Sequence, residues 1–212
     1  MIGPSSSHTA GAVKLARLAA LVWNRPVEAV EIYLRGSFAA TWWGHGTDRA
    51  LLAGLAGLSP DDPGVPGARE EAKKRGIRWS FFTEEVDGAH PNSARFHFVS
   101  NGTAMDVEGA SVGGGAIRLL AVDGFRFDLS GELPSIITFH SDRPGVVAAI
   151  AGTLASRGLN IATLTLHRQG RGKDAVMVAE LDEAAPDGAI QAIRSCHESI
   201  HRVLAIEGGF GG

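Results

Sequence analysis

Between His8 and Val22 the polar positions Lys14 and Arg17 leave the remaining faces to Val13, Leu15, Ala16, Leu18 and Val22. So narrow a polar stripe predicts a helix buried on most sides. Alternation then takes over. Val30, Ile32 and Leu34 interleave with Glu31, Tyr33 and Arg35, the period of a strand. The glycine-rich stretch from Gly36 to Gly46 reads as a loop, and Ala50-Leu51-Leu52 with Leu55 as a helix over 47–57. Ser59 to Gly67, with its prolines and glycines, is a further loop. A charged helix over Ala68–Arg75 is stopped by Gly76. Strands are predicted at Ile77–Thr83, Ala94–Val99, Thr103–Val107, Ala116–Val122 and Phe125–Leu129. Asn101-Gly102 and Asp123-Gly124 are two-residue hairpin signals. Early βα units followed by hairpins imply a mixed α/β domain rather than a purely parallel one.

Ser130-Gly131-Glu132-Leu133-Pro134 reads as a linker. Beyond it the pattern gives a strand at Ser135–His140 and a helix opening at Asp142-Arg143-Pro144-Gly145 and closed by Gly158. Strands follow at Leu159–Leu166 and Asp174–Leu181, then a helix at Asp187–His197 and a strand at Ile200–Ile206. The order βαββαβ is ferredoxin-like. Two domains are predicted, over 1–131 and 135–207, with Gly208–Gly212 as a frayed tail.

Composition narrows what such a chain can do. The 212 residues are 44% apolar and 20% charged, enough to bury a core. A net charge of −3 and the lack of a dense basic stripe give no reason to expect nucleic acid. No apolar run approaches the roughly 20 residues that span a bilayer, and no secretory signal is visible, so no membrane is expected and the expected compartment is the cytoplasm. Cys196 is the only cysteine. No CxxC or HExxH pattern points to zinc, and no metal ligands are assigned.

Candidate chemistry gathers in four short stretches. Gly3-Pro4-Ser5-Ser6-Ser7-His8-Thr9 places hydroxyls and an imidazole before the first helix. A serine there can cap the helix, and free N–H groups at its positive end suit a carboxylate or phosphate. Gly44-His45-Gly46-Thr47-Asp48 follows Gly36-Ser37-Phe38-Ala39-Ala40-Thr41, with Thr47 or Asp48 as the expected cap of the next helix. His90-Pro91-Asn92 is a turn before a strand, and Gly113-Gly114-Gly115 separates two strands.

In this order MIGPSSSHTAGA, GSFAATWWGHGTD, HPNSARF and SVGGGAIRL resemble the β chain of the iron–sulfur-dependent L-serine dehydratases. The likeness covers essentially the whole chain. D-R-P-G-V-V followed by G-L-N-I resembles the ACT domain, a small-molecule regulatory module. The resemblance implies an α+β architecture: a mixed-sheet domain of the allosteric-substrate-binding type, shared with some D-3-phosphoglycerate dehydrogenases, then the ACT domain. Chains of the family carry a short segment, read as a strand, before the GPSSSHT motif. Here the motif begins two residues after Met1, so either that strand is lacking or the start is misassigned.

The resemblance also implies an activity, the conversion of L-serine to pyruvate and ammonia. Its [4Fe-4S] cluster would act as a Lewis acid on the substrate hydroxyl. Such a cluster needs about three or four thiolates, so a separate α subunit would hold it and complete the site. On this reading His45 takes the Cα proton and His8 is a carboxylate or hydroxyl partner, or the two exchange these roles. Ser5, Ser6, Ser7 and Thr9 seat the substrate carboxylate, with His90 and Asn92 lining the pocket. In the ACT domain Asp142, Gly145 and Asn160 match the amino-acid site, and pairing of two copies through this domain is expected. The rival readings are an amino-acid-sensing regulatory protein without catalysis, and a phosphoglycerate dehydrogenase fragment. No GxGxxG follows a strand, which disfavours the second.

Overall fold

The computed structural model describes residues 7–210, and for Trp43 and His45 the backbone alone. Two compact units divide the chain. One holds the described residues through Gly124 together with Asp128–Ser130 and Phe210; the other holds Phe125–Phe127 and Gly131–Gly209. The class is α+β, with one mixed and one antiparallel sheet.

In the first unit α1 (Ala10–Trp23) is buried along almost every face, as its narrow polar stripe predicts. β1 (Ala29–Leu34) buries Val30, Ile32 and Leu34 on one side. The chain then forms α2 (Gly36–His45), α3 (Thr47–Leu55) and α4 (Ala68–Lys74) before returning as β2 (Arg78–Thr83). β2 lies parallel to β1, while β3 (Ser93–Ser100) lies antiparallel on its other side. β4 (Thr103–Gly113), β5 (Ala116–Val122) and β6 (Phe125–Leu129) continue the sheet in the order β2-β1-β3-β4-β5-β6. Both short hairpins have two consecutive left-handed residues, Asn101-Gly102 and Asp123-Gly124, as two-residue type I′ turns require. Among the described residues no strand precedes α1.

Helix α1 packs against β4 and β5 on one side and α3 on the other. Glycines set both distances. A Cβ at Gly54 in α3 would lie 2.2 Å from the Val13 carbonyl oxygen, and one at Gly109 in β4 would lie 2.5 Å from Leu15 Cδ1.

Three local expectations are corrected. Gly36–His45 is a helix, not a loop. Only Gly36 (φ +53°) and Gly46 (φ +69°) use left-handed backbone, and they sit at its two ends; between them Ser37–Trp43 offers no obstacle to helix. β4 runs six residues beyond the predicted Val107, and Gly109 within it leaves room for Leu15 of α1. Neither Thr47 nor Asp48 caps α3: Gly46 is its N-cap, and Asp48 accepts two hydrogen bonds from Arg69 of α4.

The second unit is β7 (Ser135–Ser141), α5 (Val146–Ala155), β8 (Ile161–Arg168), β9 (Asp174–Leu181), α6 (Asp187–Ser195) and β10 (Ile200–Ile206). Its sheet order β10-β7-β9-β8 is antiparallel throughout, the ferredoxin-like arrangement. Ile136, Met177, Ala179 and Val203 of the sheet pack with Val146, Ile150 and Leu154 of α5 and Ile193 of α6. Cys196, just past α6, is half-buried against this core.

Candidate functional site

Helix α1 carries the Ser7-His8-Thr9 segment into the first unit. Thr9 occupies the N-cap position without a side-chain capping bond, and Ser7 lies two residues before it, so neither residue's hydroxyl caps the helix. Ser5 and Ser6 lie outside the described residues. His8 is buried, at 7% exposure. Its ring packs edge-on against Phe38 at 5.2 Å, and its Nε2 lies 3.2 Å from both Ser37 Oγ and Thr41 Oγ1. Ser37 and Thr41 stand four residues apart, on one face of α2. His45 is the last residue of α2, a further turn along the same stripe; its side chain lies outside the described residues.

The His90-Pro91-Asn92 turn closes on the start of α2. Phe38 N–H donates to the Pro91 carbonyl at 3.2 Å, and Arg35 N–H to that of Ser93 at 3.1 Å. A Cβ at Gly36 would sit 2.6 Å from Pro91 Cα. Only glycine fits there, on spacing and on its positive φ alike. His90 Nδ1 accepts the Asn92 N–H at 3.1 Å, so that nitrogen carries no proton and a neutral His90 has its proton on Nε2. Asn92 C=O in turn accepts the Ser111 N–H at 2.9 Å. The Asn92 Oδ1 and Ser111 Oγ atoms are buried with no hydrogen-bond partner among the described residues. Groups this expensive to bury unsatisfied usually meet a ligand or ordered water.

His8, Ser37, Thr41, Asn92 and Ser111 therefore gather at one end of the six-stranded sheet, where β1 stops and β3 begins. Nothing local in the sequence settles a role for Ser37, Thr41 or Ser111. A hydroxyl pair at i and i+4 in GSFAAT was the available signal, but their partner lies 29 and 33 positions away.

A charged network lies beside this end. Arg35, immediately before α2, contacts Glu84 at 2.7 Å and Glu108 at 2.8 Å. Arg95 joins Glu84 to Asp106, at 3.1 and 3.0 Å. Burial alone would raise the Glu84 carboxyl, but hydrogen bonds from Arg95 and Arg35 outweigh it and hold it below the ordinary carboxylate range. A carboxyl depressed on folding adds stability above its unfolded value, and that stability is lost as pH falls through its folded value. Between about pH 7 and about pH 3 the natural chain is thus expected to lose more stability than Glu84→Gln. Denaturation midpoints at the two pH values measure this, and equal losses would contradict it. A cleft of about 480 Å³ lies near this network, lined by Arg35, Ala39, Ala40, Glu84 and Asp87 among others. None of the site residues predicted from sequence lines it.

In the second unit the three predicted ligand residues do not converge. Asp142 Oδ2 accepts the Gly172 N–H and Arg168 Nη1, both at 3.0 Å; led by the Gly172 bond, these contacts hold its carboxyl below the usual range. Asp142 thus pins the β8–β9 turn instead of capping α5, whose N-cap is Gly145 at φ +91°. Asn160 Nδ2 donates to Asp182 at 2.7 Å, at the end of the sheet where Ile161 pairs with Leu181. Asp142 lies at the other end, where Ser141 pairs with Asp174. Roughly 20 Å of strand separates them. Two histidines of this unit have local partners: His140 Nδ1 donates to Ser141 O, and His197 Nδ1 accepts the Ser199 N–H.

The residues do not fit an iron–sulfur cluster. The chain has one cysteine, where about three or four thiolates are needed. Among the described residues no three His, Cys, Asp or Glu side chains come together as metal ligands. No helix among them is long and apolar enough to cross a membrane.

Known proteins match this chain along most of its length. The serine dehydratase beta chain family matches residues 1–76, and the ACT domain residues 135–198. The probable L-serine dehydratase, beta chain, of Bacillus subtilis (strain 168) is 36% identical over 187 residues, 88% of this chain and 85% of that one. The L-serine dehydratase, beta chain, of Peptoniphilus asaccharolyticus is 36% identical over 195 residues, 91% and 88% of the two chains. A D-3-phosphoglycerate dehydrogenase of Synechocystis sp. is 33% identical over 126 residues, 58% of this chain but 22% of that protein. At this identity over this shared length, the chain belongs to the L-serine dehydratase β-chain family and carries an ACT domain at its C-terminal side.

Proposed function

We propose that this chain is the β subunit of a cytoplasmic L-serine ammonia-lyase, supplying proton-transfer and carboxylate-binding groups to a site completed by an α subunit that holds a [4Fe-4S] cluster. The observation that carries the reading is the buried imidazole of His8, held against two hydroxyls of α2 on the stripe that ends at His45. An imidazole at this depth, at the sheet end that also holds the buried Asn92 and Ser111 oxygens without partners among the described residues, is costly for structure alone.

The chain's own groups divide the work as follows. His45 takes the Cα proton of L-serine, since imidazole exchanges protons near neutral pH. His8 pairs with the substrate's carboxylate or hydroxyl. The Ser5–Thr9 segment before α1 seats the carboxylate at the positive end of the helix, with His90 and Asn92 at the wall. Loss of the Cα proton and of the β-hydroxyl as water leaves 2-aminoacrylate. Its tautomer takes up water to give pyruvate and ammonia. In the second unit, pairing of two copies through the ACT domain would make it a regulatory module.

The test is pyruvate formation from L-serine without oxygen, for this chain alone and for this chain assembled with a cysteine-rich α chain. Activity in the pair and none in either chain alone is the expected result. Turnover by this chain alone would refute the split site. Binding of L-serine without turnover in a cluster-loaded pair would favour the amino-acid sensor.

A further inference from the structure

The hydroxyl of Thr41 has one proton, and its place is settled. Thr41 Oγ1 donates to the Ser37 carbonyl at 2.7 Å, the helical i−4 bond. A carbonyl has no proton to offer in return, so toward His8 Thr41 can only accept. The 3.2 Å contact between Thr41 Oγ1 and His8 Nε2 is then a hydrogen bond only when Nε2 carries the proton. Ser37 Oγ, also 3.2 Å from Nε2, is placed to be a second acceptor when that nitrogen carries the proton. Phe38, edge-on to the ring, limits its rotation between these two hydroxyls. With both hydroxyls accepting, the lone pair of the neutral ring lies on Nδ1.

We propose that Thr41 and Ser37 are positioning residues that hold neutral His8 as its Nε2–H tautomer, making Nδ1 a hydrogen-bond acceptor for the hydroxyl, and not the carboxylate, of the amino-acid substrate. The inference rests on the reading that His8 faces the substrate. A lone pair repels a carboxylate and accepts an O–H, so the tautomer selects between the two partners open to His8. Substrates lacking the β-hydroxyl lose this bond. Thr41 touches no substrate on this account and acts only through the imidazole.

Two measurements test it. The first is the ring ¹⁵N spectrum of the histidine-labelled chain above the titration of its imidazoles, with His8 assigned by its absence from His8→Gln. The expected His8 signal shows a protonated Nε2 and a bare Nδ1. The reverse pattern overturns the proposal whatever His8 does in catalysis. The second uses the assembled enzyme. Thr41→Val with Ser37→Ala should mix the His8 tautomers and lower kcat on the order of tenfold, the effect of one to two hydrogen bonds, with Thr41→Ser near normal. An unchanged tautomer and kcat in the double variant would remove Thr41 and Ser37 from this role. An Nε2–H signal in the natural chain with normal turnover in His8→Gln would instead refute the catalytic reading of His8 and leave the tautomer standing.

Discussion

His8→Gln is expected to lower L-serine turnover in the assembled enzyme by about tenfold or more, the effect of losing the hydrogen bond that Nδ1 accepts from the substrate hydroxyl. Glutamine makes a cleaner test than alanine. Its amide N–H can replace Nε2–H and still donate to Thr41 and Ser37, so the contact with α2 that the imidazole makes at 3.2 Å can persist. It offers no basic nitrogen in place of Nδ1. The fold should therefore survive while turnover falls, with a melting temperature close to that of the natural chain. His45→Ala should fall further, by about 10²–10⁴-fold, if that residue takes the Cα proton. Pyruvate formation under saturating L-serine measures both. Turnover within threefold of normal in His8→Gln would remove His8 from the reaction.

Gly54→Ala is expected to do the reverse, damaging the fold without touching any group assigned to the chemistry. The added methyl would lie 2.2 Å from the Val13 carbonyl oxygen and 2.8 Å from both Ala16 Cβ and Arg17 N. Two of these three obstacles are backbone, so relief requires α1 and α3 to separate. Overpacking of this kind costs about 1–3 kcal/mol and sometimes more. With backbone as the obstacle we expect about 3 kcal/mol, a fall of roughly 6–12 °C in the melting of the N-terminal unit. Gly44→Ala is the matching control. It lies inside α2, its Cβ would meet nothing within 4 Å, and glycine-to-alanine there should stabilise by about 0.5–1 kcal/mol. Calorimetry of the two variants should give shifts of opposite sign; a stable Gly54→Ala would show that the α1–α3 spacing is adjustable.

What could be read from the residues depended on how local the cause was. α1 announces itself through the stripe of Lys14 and Arg17, and both hairpins through Asn-Gly and Asp-Gly, whose backbone conformations are set by those residues alone. The alternation of Val30, Ile32 and Leu34 marks β1 for the same reason. α2 was illegible because Gly36, Gly44 and Gly46 look alike in a sequence, although two end the helix and one lies within it. The second half of β4 was hidden because Gly109 is a glycine to admit Leu15, a requirement imposed by another element. Within the site, the histidine clusters were visible as motifs. The two hydroxyls that receive His8, and the Arg35–Glu84–Arg95 network, were not, since each contact joins distant positions that only the folded sheet brings together.

The separation of Asp142 from Asn160 bears on how any amino-acid signal would be read. The two residues stand at opposite ends of the second unit's sheet, farther apart than a single amino acid can reach. A ligand touching both would have to take one from each of two copies. Its binding would then obey mass action in protein as well as in ligand, half-saturation falling as the protein is concentrated. The cell's level of this polypeptide, and not only its level of amino acid, would set when such a signal is felt.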